Sequence, residues 1–467
     1  MFNIQVKKPS PFNFCILIPV AIGTVFFILS SCSIQKQISR SAKELVLNDS
    51  SLTTAHVGIS IYEPASGKYW FNYQGDKYFV PASNTKIPTC YAAMKYLGDS
   101  LVGLRYEISN GNLNILGAGD PTFLHPDFKS QPVFNFLKKS ENVNYLLDGT
   151  LPGYSPLGRG WALDDYLGDY AAERSDMPIY GNVAKFYMQG DTIAVSPAAF
   201  FNLNFQHENT ALRNGVGLWF RIVRPFEENS FHPVYTNSMY LSKTKFSSQQ
   251  VPFKTITNFT SPGFHPTYLK LLEDTLHKKI GEWSYVDARP ILKNIIHSQP
   301  TDTLLKIMMH RSDNFFAEQT LLMVSNERLG VMNDAKIIDT LLKTDFKSLL
   351  QKPRWADGSG LSRYNLFTPQ DFVAIFNKMK DEFGMERIKT IFPTGNDGTL
   401  ANYYKAENGY IFAKTGTLSG VVALSGFLYT KKNKLLIFSV LVNNHNASAT
   451  AVRRAVEKFI QIIRNKY

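Results

Sequence analysis

The sequence predicts an α+β fold, with one five-stranded antiparallel sheet flanked by helices and a large, mostly β inserted domain. Three observations lead there. Two β-like runs near the start, HVGISIYE (56–63) and YWFNYQ (69–74), are joined by the turn-forming PASGK and read as a hairpin. Three more β-rich runs near the end, at 409–419, 420–430 and 433–444, are separated by the short turns LSG and KKNK and should pair antiparallel. Between them, residues 101–289 carry short β-like runs and many aromatics but few long helical patterns, so the sheet is expected to close across an insertion.

The elements follow in chain order. Lys7 and Lys8 precede a mostly apolar run over 11–29, the charged and apolar regions of an export signal. The run ends in Leu29-Ser-Ser-Cys32, which resembles the lipobox of bacterial lipoproteins, where the cysteine takes the lipid. An uncleaved membrane anchor is the other reading, because the run is nearly long enough to span a bilayer. The expectation is an exported lipoprotein, with residues 1–32 its signal and lipobox. Cys32 would hold it on a membrane of the bacterial cell envelope, its body facing the periplasm. Residues 33–52 are polar and read as a tether. With Cys15 lost and Cys32 lipidated, Cys90 alone remains, so no intramolecular disulfide is expected.

The first part of the main domain spans 53–100. Its hairpin leads into GDKYFVPASNTKIPTCYAAMKYL, a loop entering a helix that tolerates Pro88 in its first turns. After the insertion (101–289), helical character returns over 289–325 and opens the second part, 290–467. The closing run ATAVRRAVEKFIQIIRN (449–465) is an amphipathic helix.

The length of 467 residues suits two or three domains, and 44% hydrophobic with 19% charged residues is ordinary globular composition. A net charge of +12 favours anionic surfaces such as lipid headgroups or carboxylate-rich polymers. No zinc knuckle, RNA-binding signature or dense Lys/Arg block is present, so a nucleic-acid partner is not expected.

Three short motifs occur in one order: Ser83-Asn-Thr-Lys86, Ser312-Asp-Asn314 and Lys414-Thr-Gly416. Each alone is weak. Ser33–Lys36 and Ser242–Lys245 repeat the first spacing, and RSDM at 174–177 nearly repeats the second. Together they fall in matching contexts: a helix start, a helix-rich segment, and a strand before a turn. One helical turn brings Ser83 and Lys86 onto one face. A serine hydroxyl needs an adjacent base to act as a nucleophile, and a lysine serves only if burial or nearby cations lower its pKa. Lys414 is one such candidate cation and a candidate carboxylate binder. Ser312 is placed to relay a proton to a leaving amine, and Asn314 to orient Lys86 and a substrate amide. The backbone N–H groups of Ser83 and Thr417 are candidates for an oxyanion hole. A capping serine, a surface lysine and a strand lysine are the alternative reading. No metal or cofactor is called for.

With these motifs the chain resembles the D-alanyl-D-alanine carboxypeptidase/endopeptidase family of the penicillin-binding protein 4 type. GAGDPTF (117–123), GWALDDY (160–166), DGSGLSRYNLFTP (357–369) and GNDGTL (395–400) are similar to further family segments, and the long gap from Ser83 to Ser312 matches the family's insertion. The resemblance implies a penicillin-binding transpeptidase (β-lactamase-like) fold and acyl transfer from the D-Ala-D-Ala end of peptidoglycan stem peptides to water. It also implies cleavage of cross-links and acylation by β-lactam antibiotics. It makes Ser83 the nucleophile and Lys86 the base. Ser312 and Asn314 become the second motif, and Lys414, Thr415 and Gly416 the third. Asp165 and Arg363 match positions that grip the charged end of a diaminopimelate side chain, with Asp164 an alternative to Asp165. Phe123 and Leu163 depart from the residues frequent in the family. A β-lactamase or esterase on the same fold, and a wall-binding lipoprotein without catalysis, are the rival readings.

Overall fold

The computed structural model describes residues 35–147, 153–166, 168–189, 192–198, 206–208, 219–222, 239–242, 248–253, 255–257, 265–284 and 292–467. The apolar run at 11–29, Cys32 and the Ser33–Lys36 pair's serine lie outside them, as does Lys245. Among the described residues no helix is long and apolar enough to cross a membrane.

The chain starts with α1 (35–42), continued by a π-helical turn, Lys43–Leu47. Strands β1 (His56–Glu63) and β2 (Lys68–Tyr73) form the expected hairpin, and α2 (Lys86–Tyr96) follows a 3₁₀ turn at Ala82–Thr85. The inserted region runs through β3 (Ser100–Ser109), β4 (Asn112–Gly117), α3 (Pro132–Lys139), β5 (Val143–Leu147), β6 (Val183–Gln189) and β7 (Thr192–Ser196). It continues with the short strands β8 (Gln206–Glu208), β9 (Trp219–Ile222), β10 (Met239–Ser242), β11 (Ser248–Pro252), β12 (Ile256–Thr257) and β13 (His265–Pro266). It ends with α4 (Thr267–Leu276), β14 (Gly281–Ser284) and β15 (Asn294–Pro300). The main body resumes with α5 (Thr301–Arg311), α6 (Asn314–Leu329), α7 (Asp334–Lys343), α8 (Pro369–Ile391), β16 (Ile411–Leu418), β17 (Val421–Tyr429), β18 (Leu435–Asn443) and α9 (Ala449–Lys466).

The two ends of the chain meet in one five-stranded sheet of order β16-β17-β18-β1-β2. Its neighbours pair antiparallel, with Val442 opposite Val57 and Ala423 opposite Leu441. Both faces are covered, which is why β17 and β18 read as near-continuous apolar runs rather than alternating ones. On one face, Ala423, Phe427, Ile437 and Leu441 pack into the core built with α2, α5, α6 and α8. On the other, Val422, Leu424, Phe438 and Val440 pack against α9 and α1.

Two boundaries differ from expectation. Residues 35–52 are not a loose polar tether: Ile38, Ala42 and Val46 are spaced four apart, so helix formation lines them up on one stripe, and all three are buried against the sheet together with Leu52. Overall polarity concealed a three-residue apolar stripe. The insertion also ends later than residue 289. Asn294–Pro300 is a strand that pairs with β3, placing Ile296 opposite Leu104 in a sheet of order β14-β5-β4-β3-β15, and helix begins only at Thr301.

The insertion is clamped to the body through α6. Gln319, buried, donates Nε2 to the carbonyls of Gly119 and Ser175, both at 2.8 Å, and accepts from the Ser175 amide at 3.1 Å. Arg174 is 1% exposed and donates to Asp334 at 2.7 Å and to Glu318 at 3.3 Å. The segment Gly117–Phe123 thus acts structurally, with Asp120 accepting from the Thr122 amide at 2.9 Å to shape its turn.

Candidate active site

Ser83 sits in the 3₁₀ turn that feeds α2, and it alone of residues 81–90 is not buried, so its hydroxyl faces the cleft. The turn is held from both sides. Thr85 Oγ1 donates to the Ala82 carbonyl at 2.9 Å. Asn84 donates to Ser425 Oγ at 2.7 Å, and Ser425 to Ser439 at 2.8 Å. Ser60, Ser439, Ser425 and Lys414 are successive partners across the sheet, so they share one face. This polar rung anchors the turn that carries Ser83 and aims Lys414 toward the helices.

Lys86, one turn on from Ser83, is wholly buried. Its Nζ lies 3.1 Å from Ser83 Oγ, 2.6 Å from Asn314 Oδ1 and 2.7 Å from the Ser359 carbonyl. Burial lowers its pKa to about 8, against the opposing pull of Asp357, Asp313 and Glu318. Lys414, also wholly buried, donates to Ser312 Oγ and to the Thr415 carbonyl, both at 2.8 Å. Burial, then the charge of Lys86, push its pKa well below the usual lysine value.

Ser312 closes α5 in the left-handed conformation, φ 61°, an uncommon backbone state for serine that turns its side chain into the site. Asp313 then caps α6, accepting from the Phe316 amide at 2.8 Å. The middle residue of this motif is therefore the cap, and its neighbours face the cleft. Asn314 donates its amide to the Tyr170 carbonyl at 3.1 Å, which fixes Oδ1 toward Lys86.

The first, second and third motifs thus converge. Thr415 bonds Thr399 at 2.8 Å, and Thr417, exposed on β16, accepts from Arg453. Gly416 is required by close approach: a Cβ there would stand 2.7 Å from the Pro81 carbonyl and 3.1 Å from the Ser83 amide. Asp165 and Arg363 lie on loops beside the cleft, each with another partner. Asp165 accepts from the Tyr170 hydroxyl at 2.8 Å, and Arg363 donates to the Ser419 carbonyl at 2.9 Å. Asp164 is exposed beside Asp165. Cys90 is buried, its thiol pKa raised by desolvation, and it lines the core rather than the site.

Sequence reasoning missed the loop that completes the surroundings of Lys86. Asp357 accepts from the Gly360 amide (2.8 Å), the Ser362 amide (2.7 Å), Asn365 (2.7 Å) and Trp161 (3.0 Å), folding 357–365 into a tight turn. The turn presents the Ser359 carbonyl to Lys86, and the Ser359 amide donates to Glu318 at 2.7 Å. Burial and neighbouring Asp357 raise the Glu318 pKa to about 7. Gly360 has φ +84°, and a Cβ there would meet the Ala82 carbonyl at 1.9 Å. Gly360→Ala is expected to cost about 3 kcal/mol of stability, measured by urea unfolding, and to lower kcat/KM at least tenfold by displacing the Ser359 carbonyl.

A serine in the turn ahead of a helix, bonded to the buried lysine that opens that helix and near a second buried lysine on the edge strand of a sheet packed between helical layers, defines a serine hydrolase of the penicillin-binding fold. The chain belongs to the D-Ala-D-Ala carboxypeptidase 3 (S13) family, whose model matches residues 40–218 and 275–464. It is 25% identical over 462 residues to the D-alanyl-D-alanine carboxypeptidase of Actinomadura sp. (strain R39), covering 88% of this chain and 82% of that one. It is 23% identical over 441 residues to D-alanyl-D-alanine carboxypeptidase DacB of Haemophilus influenzae, covering 85% and 87%. The crystal structure of penicillin binding protein 4 (dacB) from H. influenzae shares the fold, with TM-score 0.65 and 20% identity over 92% of this chain and 98% of that one.

Proposed function

We propose that the protein hydrolyses the D-Ala-D-Ala ends and cross-links of peptidoglycan stem peptides through an acyl-enzyme on Ser83. One observation carries this: the Lys86 amine has two fixed oxygen acceptors, Asn314 Oδ1 and the Ser359 carbonyl, and a serine hydroxyl at 3.1 Å. A neutral amine has two N–H bonds and one lone pair. With both N–H bonds directed at those oxygens, the lone pair is left for the Ser83 proton.

Ser83 Oγ attacks the carbonyl carbon of the penultimate D-Ala, and its proton passes to Lys86 Nζ. The Ser83 and Thr417 amides receive the oxyanion. The C–N bond breaks as Ser312 gives its proton to the leaving amine and regains one through Lys414, bonded to it at 2.8 Å, so that the proton taken from Ser83 by Lys86 is the one finally carried off on the amine. Water then attacks the ester, releasing the shortened peptide and restoring the Ser83 hydroxyl. Lys414 takes the substrate's terminal carboxylate, and Asp165 with Arg363 takes the ammonium and carboxylate of a diaminopimelate side chain. A β-lactam enters the same path and stops at the ester. A structure of the H. influenzae protein complexed with a β-lactam has the same fold. The lipobox-like end supports an exported protein, anchored through Cys32 and facing the periplasm.

Mass spectrometry after incubation with penicillin tests the reading: a persistent adduct mapped to the peptide carrying Ser83 is expected, with D-Ala released from defined muropeptides. Rapid loss of the adduct without muropeptide cleavage would assign a β-lactamase instead.

A further inference from the structure

The end of the molecule where α1 begins is basic. Gln35 donates to the Tyr69 carbonyl at 3.3 Å, and the Tyr467 hydroxyl donates to Gln37 at 3.2 Å, so α1 starts beside the β1–β2 turn and the last turn of α9. The β17–β18 turn lies at the same end, its Lys431 and Lys432 amides donating to the Arg464 and Tyr467 carbonyls, each at 2.9 Å. Lys36, Lys68, Lys431, Lys432 and Lys466 are all exposed here, and none of them has a carboxylate partner among the described residues. The acid of these turns, Glu63, is 8% exposed and already accepts from Lys434, Ser66 and Trp70.

The chain leaves this same end toward Cys32. Two residues lie between Cys32 and Gln35, so the three steps of chain span at most about 11 Å when extended. Because α1 is packed into the body and not free, a lipid on Cys32 sets this end against the headgroups. We propose that the basic end docks on an anionic phospholipid bilayer, with α1 as a rigid link between anchor and body. The proposal rests on the anchor at Cys32 put forward above.

Docking this way leaves the cleft open. The site lies on the opposite face of the sheet from α1 and α9. Thr415 pairs with Leu424, five residues along β17 from Tyr429 at the docked end, which is roughly 17 Å. The cleft therefore faces the wall polymer above the bilayer and not the lipid.

The test uses the full-length lipidated protein in vesicles of phosphatidylcholine alone, or with one-third phosphatidylglycerol. Lysines are acylated with a water-soluble amine reagent and counted by mass spectrometry. In the anionic vesicles Lys36, Lys431, Lys432 and Lys466 are expected to label about fivefold more slowly, with the exposed Lys129 and Lys306, near Arg311 and Ser312 on the cleft side, unchanged. Half-molar salt should abolish the difference. The paired variant Lys431→Glu, Lys432→Glu should return Lys36 and Lys466 to their rate in neutral vesicles. Equal labelling in both vesicles overturns the docking, and equal protection by a soluble polyanion without anionic lipid overturns the bilayer as partner. The mass of the N-terminal peptide reads acylation of Cys32 separately. If Cys32 carries no lipid, the anchor reading fails, and the 11–29 run holds the chain in the same vesicles while the labelling ratio still decides the docking.

Discussion

Ser83→Ala is expected to lower D-Ala release from a peptide ending in D-Ala-D-Ala by roughly ten-thousandfold or more, and to abolish the covalent penicillin adduct. Stability should change by no more than about 0.5 kcal/mol, because the hydroxyl faces the cleft and the turn is held by Thr85 and Asn84. Initial rates, gel detection of labelled penicillin and a thermal melt measure the three quantities. An adduct that survives the substitution would remove Ser83 from the chemistry while leaving the family assignment intact.

Lys86→Met is expected to lower kcat/KM by about a thousandfold and to erase its pH dependence near 8. In the proposed mechanism the unprotonated amine is the working form, and burial lowers its pKa to about 8. In the unsubstituted enzyme kcat/KM should therefore rise about tenfold per pH unit below that value and level off above it. The same shift has a stability consequence of defined sign. A pKa of about 8 in the folded state lies below the ordinary lysine value of 10.5, so between them the unfolded chain holds the proton and the folded one does not. Burial of the ammonium opposes folding fully below pH 8, and the penalty disappears as the pH rises toward 10.5. Its size is about 3 kcal/mol. Urea unfolding at several pH values should show this rise in the unsubstituted protein and a smaller one in Lys86→Met, where Lys414 alone contributes with the same sign. A flat kcat/KM profile from pH 6 to 9 in the unsubstituted enzyme would sink the assignment of Lys86 as base.

The parts of the site legible in the sequence were side chains in short spacings. Ser83 and Lys86 are one turn apart, Ser312 and Asn314 flank a capping aspartate, and Lys414 leads a strand into a glycine. The sheet was legible because turn residues punctuate its strands. Other parts carried no residue signature. The second acceptor for Lys86 is a backbone carbonyl at position 359, which any residue type supplies; only the glycine at 360 hinted that the chain passes close to something. Arg174 stood in a near copy of the second motif, which drew attention to its neighbours and away from its own charge, yet it is the buried partner of Glu318. Helix α1 was hidden by averaging: its exposed face is polar enough to mask Ile38, Ala42 and Val46. Strand β15 was read as helix because NIIHS offers a short apolar run with no turn signal before the helix that follows.

The buried guanidinium of Arg174 makes the insertion something other than a detachable accessory. Its charge is answered by Glu318 and Asp334 on the body, and Glu318 in turn holds the amide of Ser359, whose carbonyl meets Lys86. Replacing Arg174 alone by Met would leave the buried Glu318 without its cation, a loss on the order of several kcal/mol. The two regions should consequently melt in a single cooperative transition, and grafting a relative's insertion onto this body will succeed only where the graft brings its own cation to the same spot.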